Sequence, residues 1–255
     1  MKYVVITGSS KGLGEAIVQQ LLTEKDITLC CIARSRNSEL EKKAKQHDVP
    51  LSFFSYDLEN INQIDQLMRD VFSVIKSDNA DAIHLINNAG MLNPINPIDK
   101  LTSSEIISNL HVNLVSPMII TSEFMKHTTD FACEKRIINI SSGAGKRPIY
   151  GWSCYGTSKA GLDLFSQNAA VDQLHAKHPV QICSFGPGIM DTQMQEQIRS
   201  TDESNFVDVE KFRAYKDEGH LLPPSVVAKI VTDLLDKEAF PNGQIVSVQD
   251  YLTSK

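Results

Sequence analysis

The chain has 255 residues, 42% hydrophobic and 22% charged, with a formal net charge of −6. That is ordinary globular composition at a length that buries a core without disulfide or metal staples, and the acidic balance argues against a nucleic-acid partner, which needs a basic face. The five cysteines are odd in number and form no CxxC pair, which argues against a disulfide framework or a zinc site. No apolar stretch approaches the roughly 20 residues of a membrane helix, and the N-terminus carries no signal-peptide pattern. A cytoplasmic, reduced protein with no metal and no membrane partner is expected.

Apolar runs alternate with helical patterns along most of the chain. Tyr3–Thr7 reads as a strand, Gly12–Thr23 as a helix, Ile27–Ala33 as a strand and Glu39–His47 as a short helix. Leu51–Ser55 is a third strand, after which Ile61, Ile64, Leu67, Met68, Val71 and Ile75 recur at helical spacing. Ala82–Ile86 is a fourth strand, and a helical zone covers about Thr102 to His127, with a bend expected near Pro117. Strand Arg136–Ser141, helix Tyr155–Lys177, strand Val180–Phe185, helix Pro224–Leu235 and strand Gln244–Val248 complete the alternation. This pattern predicts an α/β fold: one doubly wound (Rossmann) domain over residues 1–255, with a mostly parallel seven-stranded sheet and helices on both faces. The segment Gly188–Gly219 departs in composition, being polar and charged with scattered Met190, Met194, Ile198, Phe206, Phe212 and Tyr215. It reads as a lid over a site, the alternative being a surface excursion packed on the core.

The first strand runs into Thr7-Gly8-Ser9-Ser10-Lys11-Gly12-Leu13-Gly14 and then a helix. Such a turn lets backbone N–H groups approach a pyrophosphate at the positive end of the helix. Ile6, Gly8, Ser10, Lys11, Gly12, Leu13 and Gly14 are therefore candidate cofactor contacts. The second strand ends at Ala33-Arg34, where a carboxylate would suit the ribose hydroxyl of NAD and an arginine suits the extra phosphate of NADP. Lys11 and Arg34, with Arg36 as a further candidate, predict NADPH/NADP.

Tyr155 and Lys159 are four residues apart and share a face if helical. A tyrosine ionises near about 10, and a nearby ammonium that stabilises the phenolate eases proton transfer to a carbonyl oxygen. Ser142 lies 13 residues before Tyr155 at the end of a strand, whereas Ser141 would face the opposite side.

These motifs, with the Gly-x-x-x-Gly-x-Gly turn, resemble the short-chain dehydrogenase/reductase family over essentially the whole chain. The resemblance implies hydride transfer to a small-molecule carbonyl, with catalytic Asn113, Ser142, Tyr155 and Lys159. Asn113 would hold a water that links Lys159 to solvent, and Lys159 would also hold the ribose. It further implies cofactor contacts at Asp57 and Leu58, at Asn87-Asn88-Ala89-Gly90, and at Pro187, Gly188, Ile189 and Thr192. Family members commonly form dimers or tetramers through the helices after strands four and five.

Around the site, Gly151-Trp152-Ser153-Cys154-Tyr155 and Met190-Asp191-Thr192-Gln193-Met194-Gln195 resemble the sepiapterin reductase branch, and Ile140 to Lys146 is similar to bacterial benzil reductases, which form (S)-benzoin. Trp152, Met190 and Met194 would then line an apolar slot beside Ser142 and Tyr155 for an aromatic diketone, or Trp152 is simply a core or interface residue. Asp250 fits the position of a pterin-anchoring aspartate, or is solvated. A 3-oxoacyl-thioester reductase would want a basic entrance for a carrier protein, which the acidic 188–219 segment disfavours. A non-catalytic NADP sensor of this fold would typically have lost the tyrosine or lysine, and both are present.

Overall fold

The computed structural model describes residues 1–76, 78 and 80–252. Its sheet has seven strands: β1 (Lys2–Thr7), β2 (Ile27–Ala33), β3 (Leu51–Ser55), β4 (Ala82–Asn87), β5 (Glu134–Ile140), β6 (Gln181–Gly186) and β7 (Ile245–Ser247). Their order is β3-β2-β1-β4-β5-β6-β7, and each neighbouring pair is parallel. Between them lie α1 (Gly12–Leu21), α2 (Ser38–Gln46), α3 (Ile64–Phe72), α4 (Ser103–Leu110), α5 (Ser116–His127), α6 (Ser153–Asp172), α7 (Gln193–Arg199), α8 (Val209–Asp217), α9 (Pro224–Leu235) and α10 (Gln249–Leu252).

The strand residues explain the layering. Side chains alternate between the two faces of a strand, and both faces of β1 are apolar. Val4 and Ile6 join Ile17, Val18 and Leu21 of α1 and Val227 and Val231 of α9. Tyr3 and Val5 join Leu67 and Met68 of α3 and Phe124 of α5 on the other face. Because β1 is flanked by β2 on one side and β4 on the other, the chain leaves β1 in opposite directions at this point. A crevice opens there beyond the carboxyl ends of the strands, where doubly wound folds bind ligands.

The helical zone is interrupted earlier than its proline suggests. A π-helical turn over His111–Val115 separates α4 from α5, while Pro117 sits in the first turn of α5. The backbone stays helical through Val115 and Ser116, with the Ser116 N–H bonded to the His111 carbonyl, so the π turn, not the proline, marks the break. The polar segment 188–219 holds two helices, α7 and α8, which its short and irregular apolar spacing did not announce.

Candidate active site

Close backbone approach builds the turn after β1. Gly8 has φ +67°, and a Cβ on it would stand 2.8 Å from the Ala89 Cα. A Cβ on Gly14 would stand 2.1 Å from the Gly8 carbonyl oxygen, so no side chain fits there. The Thr7 hydroxyl accepts the Asn88 and Ala89 N–H groups at 3.0 Å each, and the Asn88 amide donates to the Thr7 and Gly8 carbonyls at 3.0 and 3.1 Å. The turns after β1 and β4 thus form one rigid wall. It is an open glycine cradle at a helix N-terminus, which fits a dinucleotide.

The remaining cofactor candidates divide. Lys11 donates to the Gln193 side chain at 2.9 Å, and Gly12 lies beside Thr192, so the start of α7 meets the glycine turn. Arg34 is 72% exposed, and its one ion pair, to Asp57, is long at 3.8 Å. Arg36 instead pairs with Glu41 at 3.2 Å and lies over the Phe53 ring. Ile6, Leu13 and Leu58 bury their side chains in the core; the Leu58 carbonyl accepts the Ser116 hydroxyl, and the Ser10 carbonyl accepts from Asn37. The Asn87 side chain turns away from the crevice: its amide donates to Thr121 at 3.1 Å and to Asn139 at 2.8 Å, under α5 and α6. Only its backbone is left for a cofactor. Beyond β6, Pro187 leads to Gly188, whose φ of +74° and contact with Val248 leave no room for a side chain, while the Ile189 carbonyl accepts the Leu222 N–H at 2.9 Å.

Ser142, Tyr155 and Lys159 converge at the carboxyl end of β5. Ser142 precedes a short 3₁₀ turn, Gly143–Gly145, and its hydroxyl accepts the Ala144 N–H at 3.2 Å. Ser141 points the other way, its hydroxyl 3.5 Å from the Lys159 carbonyl. Burial pushes the Tyr155 hydroxyl above its ordinary pKa, opposed by a hydrogen bond with the Ser142 side chain. The expected lowering of the tyrosine pKa by Lys159 is therefore not the direction in this structure, because desolvation of the phenol dominates. Burial also pulls the Lys159 ammonium down to about 8, opposed by the charge of Asp163 one turn along α6. Its Nζ donates to the Ile140 carbonyl at 2.8 Å.

Asn113 lies in the π-helical turn and is buried. Its side chain clasps Met91, accepting the N–H at 2.8 Å and donating to the carbonyl at 2.7 Å. A Cβ on Gly90 would lie 3.3 Å from Asn113 Oδ1 and 3.6 Å from Lys159 Nζ, so Gly90 packs against both. With its amide spent on Met91, Asn113 has its backbone, loosened by the π turn, for any water.

Side chains from residues 188–219 pack against this cluster. Trp152 is stacked on Phe206 with ring centroids 5.3 Å apart, tilted against Phe212 at 5.6 Å, and perpendicular to Tyr155 at 5.6 Å. Ile198, Val209, Leu92, Ile95 and Ala144 complete the apolar cluster. Met194 packs against it, whereas Met190 bridges to Leu222 and packs on the sheet core. The sequence reading missed Phe206 and Phe212 as partners of Trp152, and Gln195, which is buried with its Nε2 unpartnered. Asp250 lies at the start of α10, just after β7. Its carboxylate accepts the Ser247 N–H at 2.6 Å and the Ser247 hydroxyl at 3.0 Å, so it caps its own turn. Among the described residues no group of His, Cys, Asp and Glu could hold a metal ion, and no helix is long and apolar enough to cross a membrane.

The short chain dehydrogenase family model matches residues 2–203, and the chain belongs to that family. It is an oxidoreductase of the carbonyl/alcohol class that binds a nicotinamide cofactor. It is 47% identical over 250 residues to a benzil reductase ((S)-benzoin forming) of Bacillus cereus, covering 98% of this chain and 100% of that one. A second benzil reductase, from Bacillus subtilis, is 37% identical and covers 99% and 100%. A sepiapterin reductase of Meriones unguiculatus is 30% identical, covering 96% and 95%. Among solved structures, a short chain dehydrogenase/reductase of Saccharomyces cerevisiae superposes with a TM-score of 0.82 at 25% identity, covering 97% and 96%.

Proposed function

We propose that this protein reduces an aromatic 1,2-diketone such as benzil to (S)-benzoin with NADPH. The observation that carries the reading is the aromatic cluster of Trp152, Phe206 and Phe212 set against Tyr155. The cluster is closed and buried as it stands; lifting residues 188–219 off Trp152 would present a flat apolar ring beside the Tyr155 hydroxyl, which suits an aryl ketone. A bound NADPH would supply the hydride. Tyr155 gives the proton to the carbonyl oxygen, and its raised pKa suits an acid that must hold its proton until charge develops on the substrate. Ser142 positions that oxygen by hydrogen bonding. Lys159, poised near 8, supplies positive charge under the reacting groups and a donor for the ribose. Asn113 fixes the Met91 turn beside Lys159 and completes the proton path through its backbone and a water. Lys11 and Arg34 supply the cationic contacts for the 2′-phosphate.

Residues 188–219 act as the substrate lid, since α7 and α8 seal Trp152 and Tyr155 from solvent. Pterin reduction is the second reading; Asp250 keeps its place near the C-terminus, with one carboxylate oxygen accepting from Ser247. The assembly we propose is a homodimer or homotetramer through α5 and α6, where Met118, Leu164 and Val171 are exposed. Purified protein offered benzil, sepiapterin and simple aldehydes with NADPH and with NADH tests the function. The expected result is selective benzil reduction with NADPH; turnover with sepiapterin but not benzil would overturn it.

A further inference from the structure

Trp152 carries a second feature besides its flat face. It is 7% exposed, and its indole Nε1 is fully buried without a hydrogen-bond partner. A buried donor left unpaired is costly, so native structures seldom keep one without a use for it. Trp152 is the residue just before α6, and Tyr155 follows three positions later in its first turn. Residues so spaced are neighbours on a helix surface, and the two rings stand perpendicular at 5.6 Å between centroids. A buried indole N–H and a buried phenol O–H thus lie within one helical turn of each other, both covered by residues of the 188–219 segment.

We propose that the indole N–H of Trp152 donates a hydrogen bond to the second carbonyl oxygen of a 1,2-dicarbonyl substrate, while Tyr155 engages the first. The inference rests on the diketone reading and adds to it a reason for selecting a vicinal dicarbonyl over a monoketone. The N–H is not transferred: the proton comes from Tyr155, and the indole only fixes which oxygen is reduced and in which orientation. A substrate lacking the second oxygen leaves the donor unpaired, and such sites discriminate strongly against the analogue. Phe206, stacked on the indole at 5.3 Å, belongs to the 188–219 segment, so that segment must lift off the indole for a substrate to reach the donor, and the ring is then held from the α6 side by Tyr155.

Trp152 is the single tryptophan of the chain, so replacing all tryptophan biosynthetically alters this position alone. Protein grown with 3-benzothienylalanine keeps the bicyclic ring and replaces N–H by sulfur. We expect kcat/KM for benzil to fall about tenfold, while that for deoxybenzoin, the same skeleton without one carbonyl oxygen, changes less than twofold. In unmodified, ¹⁵N-labelled Tyr155→Phe protein the single indole N–H resonance should move downfield when benzil is added with NADP, and not with deoxybenzoin. Equal effects on both ketones, or an indole resonance indifferent to benzil, would overturn the inference while leaving the diketone reductase intact. If wild-type protein reduces neither ketone, the parent reading fails and the inference falls with it.

Discussion

The ammonium of Lys159 stands 5.9 Å from the centre of the Tyr155 ring and is held there by a 2.8 Å hydrogen bond to the Ile140 carbonyl. The two groups are thus joined through the end of β5 as well as through α6, which gives each a separable signature.

Tyr155→Phe removes only the hydroxyl, so folding and NADPH binding should survive. Turnover should fall about 10²–10⁴-fold, the usual worth of positioned acid catalysis. Lys159→Ala should lower turnover and also weaken NADPH binding. Ser142→Ala should be milder than Tyr155→Phe, and Ser141→Ala nearly silent, since its hydroxyl faces the α6 backbone. Steady-state kinetics with fluorescence titration of NADPH separates these outcomes; wild-type turnover in Tyr155→Phe would refute the assignment.

The Lys159 value implies a pH limb. As pH rises through about 8 the ammonium is lost, so kcat/KM for NADPH, which reports the free enzyme, should fall above that pH. Lys159→Met should lack this limb. A flat profile from pH 7 to 10 in the wild-type protein would remove Lys159 from the rate.

Arg34→Asp should raise the KM for NADPH far more than that for NADH. Charge-assisted hydrogen bonds to the phosphate are worth about 1.5–3 kcal/mol each. The Arg34 contact with Asp57 is long and exposed, so it costs little to give up for a phosphate. Equal use of NADH and NADPH by the wild-type protein would contradict the assignment.

Acid stability should depend on the far end of the sheet. His84 is buried on β4, beside Glu134 at 3.0 Å, and burial holds its pKa below the ordinary 6.5. The native ring stays neutral where the unfolded chain takes up a proton, so stability should fall as pH drops below about 6.5. The slope from this group is at most about 1.4 kcal/mol per pH unit. Urea unfolding from pH 7.5 to 5 should show the decline, and His84→Gln should flatten it.

Leu164→Glu on the exposed face of α6, a position 59% exposed in the single chain, should shift the protein toward monomer in sedimentation velocity and make its unfolding midpoint less dependent on protein concentration. Retention of the wild-type oligomer would move the interface elsewhere.

Much of this site was legible in residue order because its chemistry is local. Apolar runs marked the strands, the glycines between Thr7 and Gly14 marked a turn without room for side chains, and the spacing of Ser142, Tyr155 and Lys159 put three functional groups at one strand end and one helix face. Local periodicity encodes such relations directly. What only the tertiary structure decided involves partners far apart in the chain or choices between equivalent side chains. Trp152 meets Phe206 and Phe212 because residues 188–219 fold back over α6. Met194 reaches that cluster, while Met190, four residues earlier, follows the bridge to Leu222 into the sheet core. Asn87 and Asn88 look alike in sequence, yet one faces the glycine turn and the other the helices beneath the sheet, because adjacent residues leave a strand on opposite faces. The direction of the Tyr155 pKa followed from burial, a property of the packed molecule that spacing does not contain.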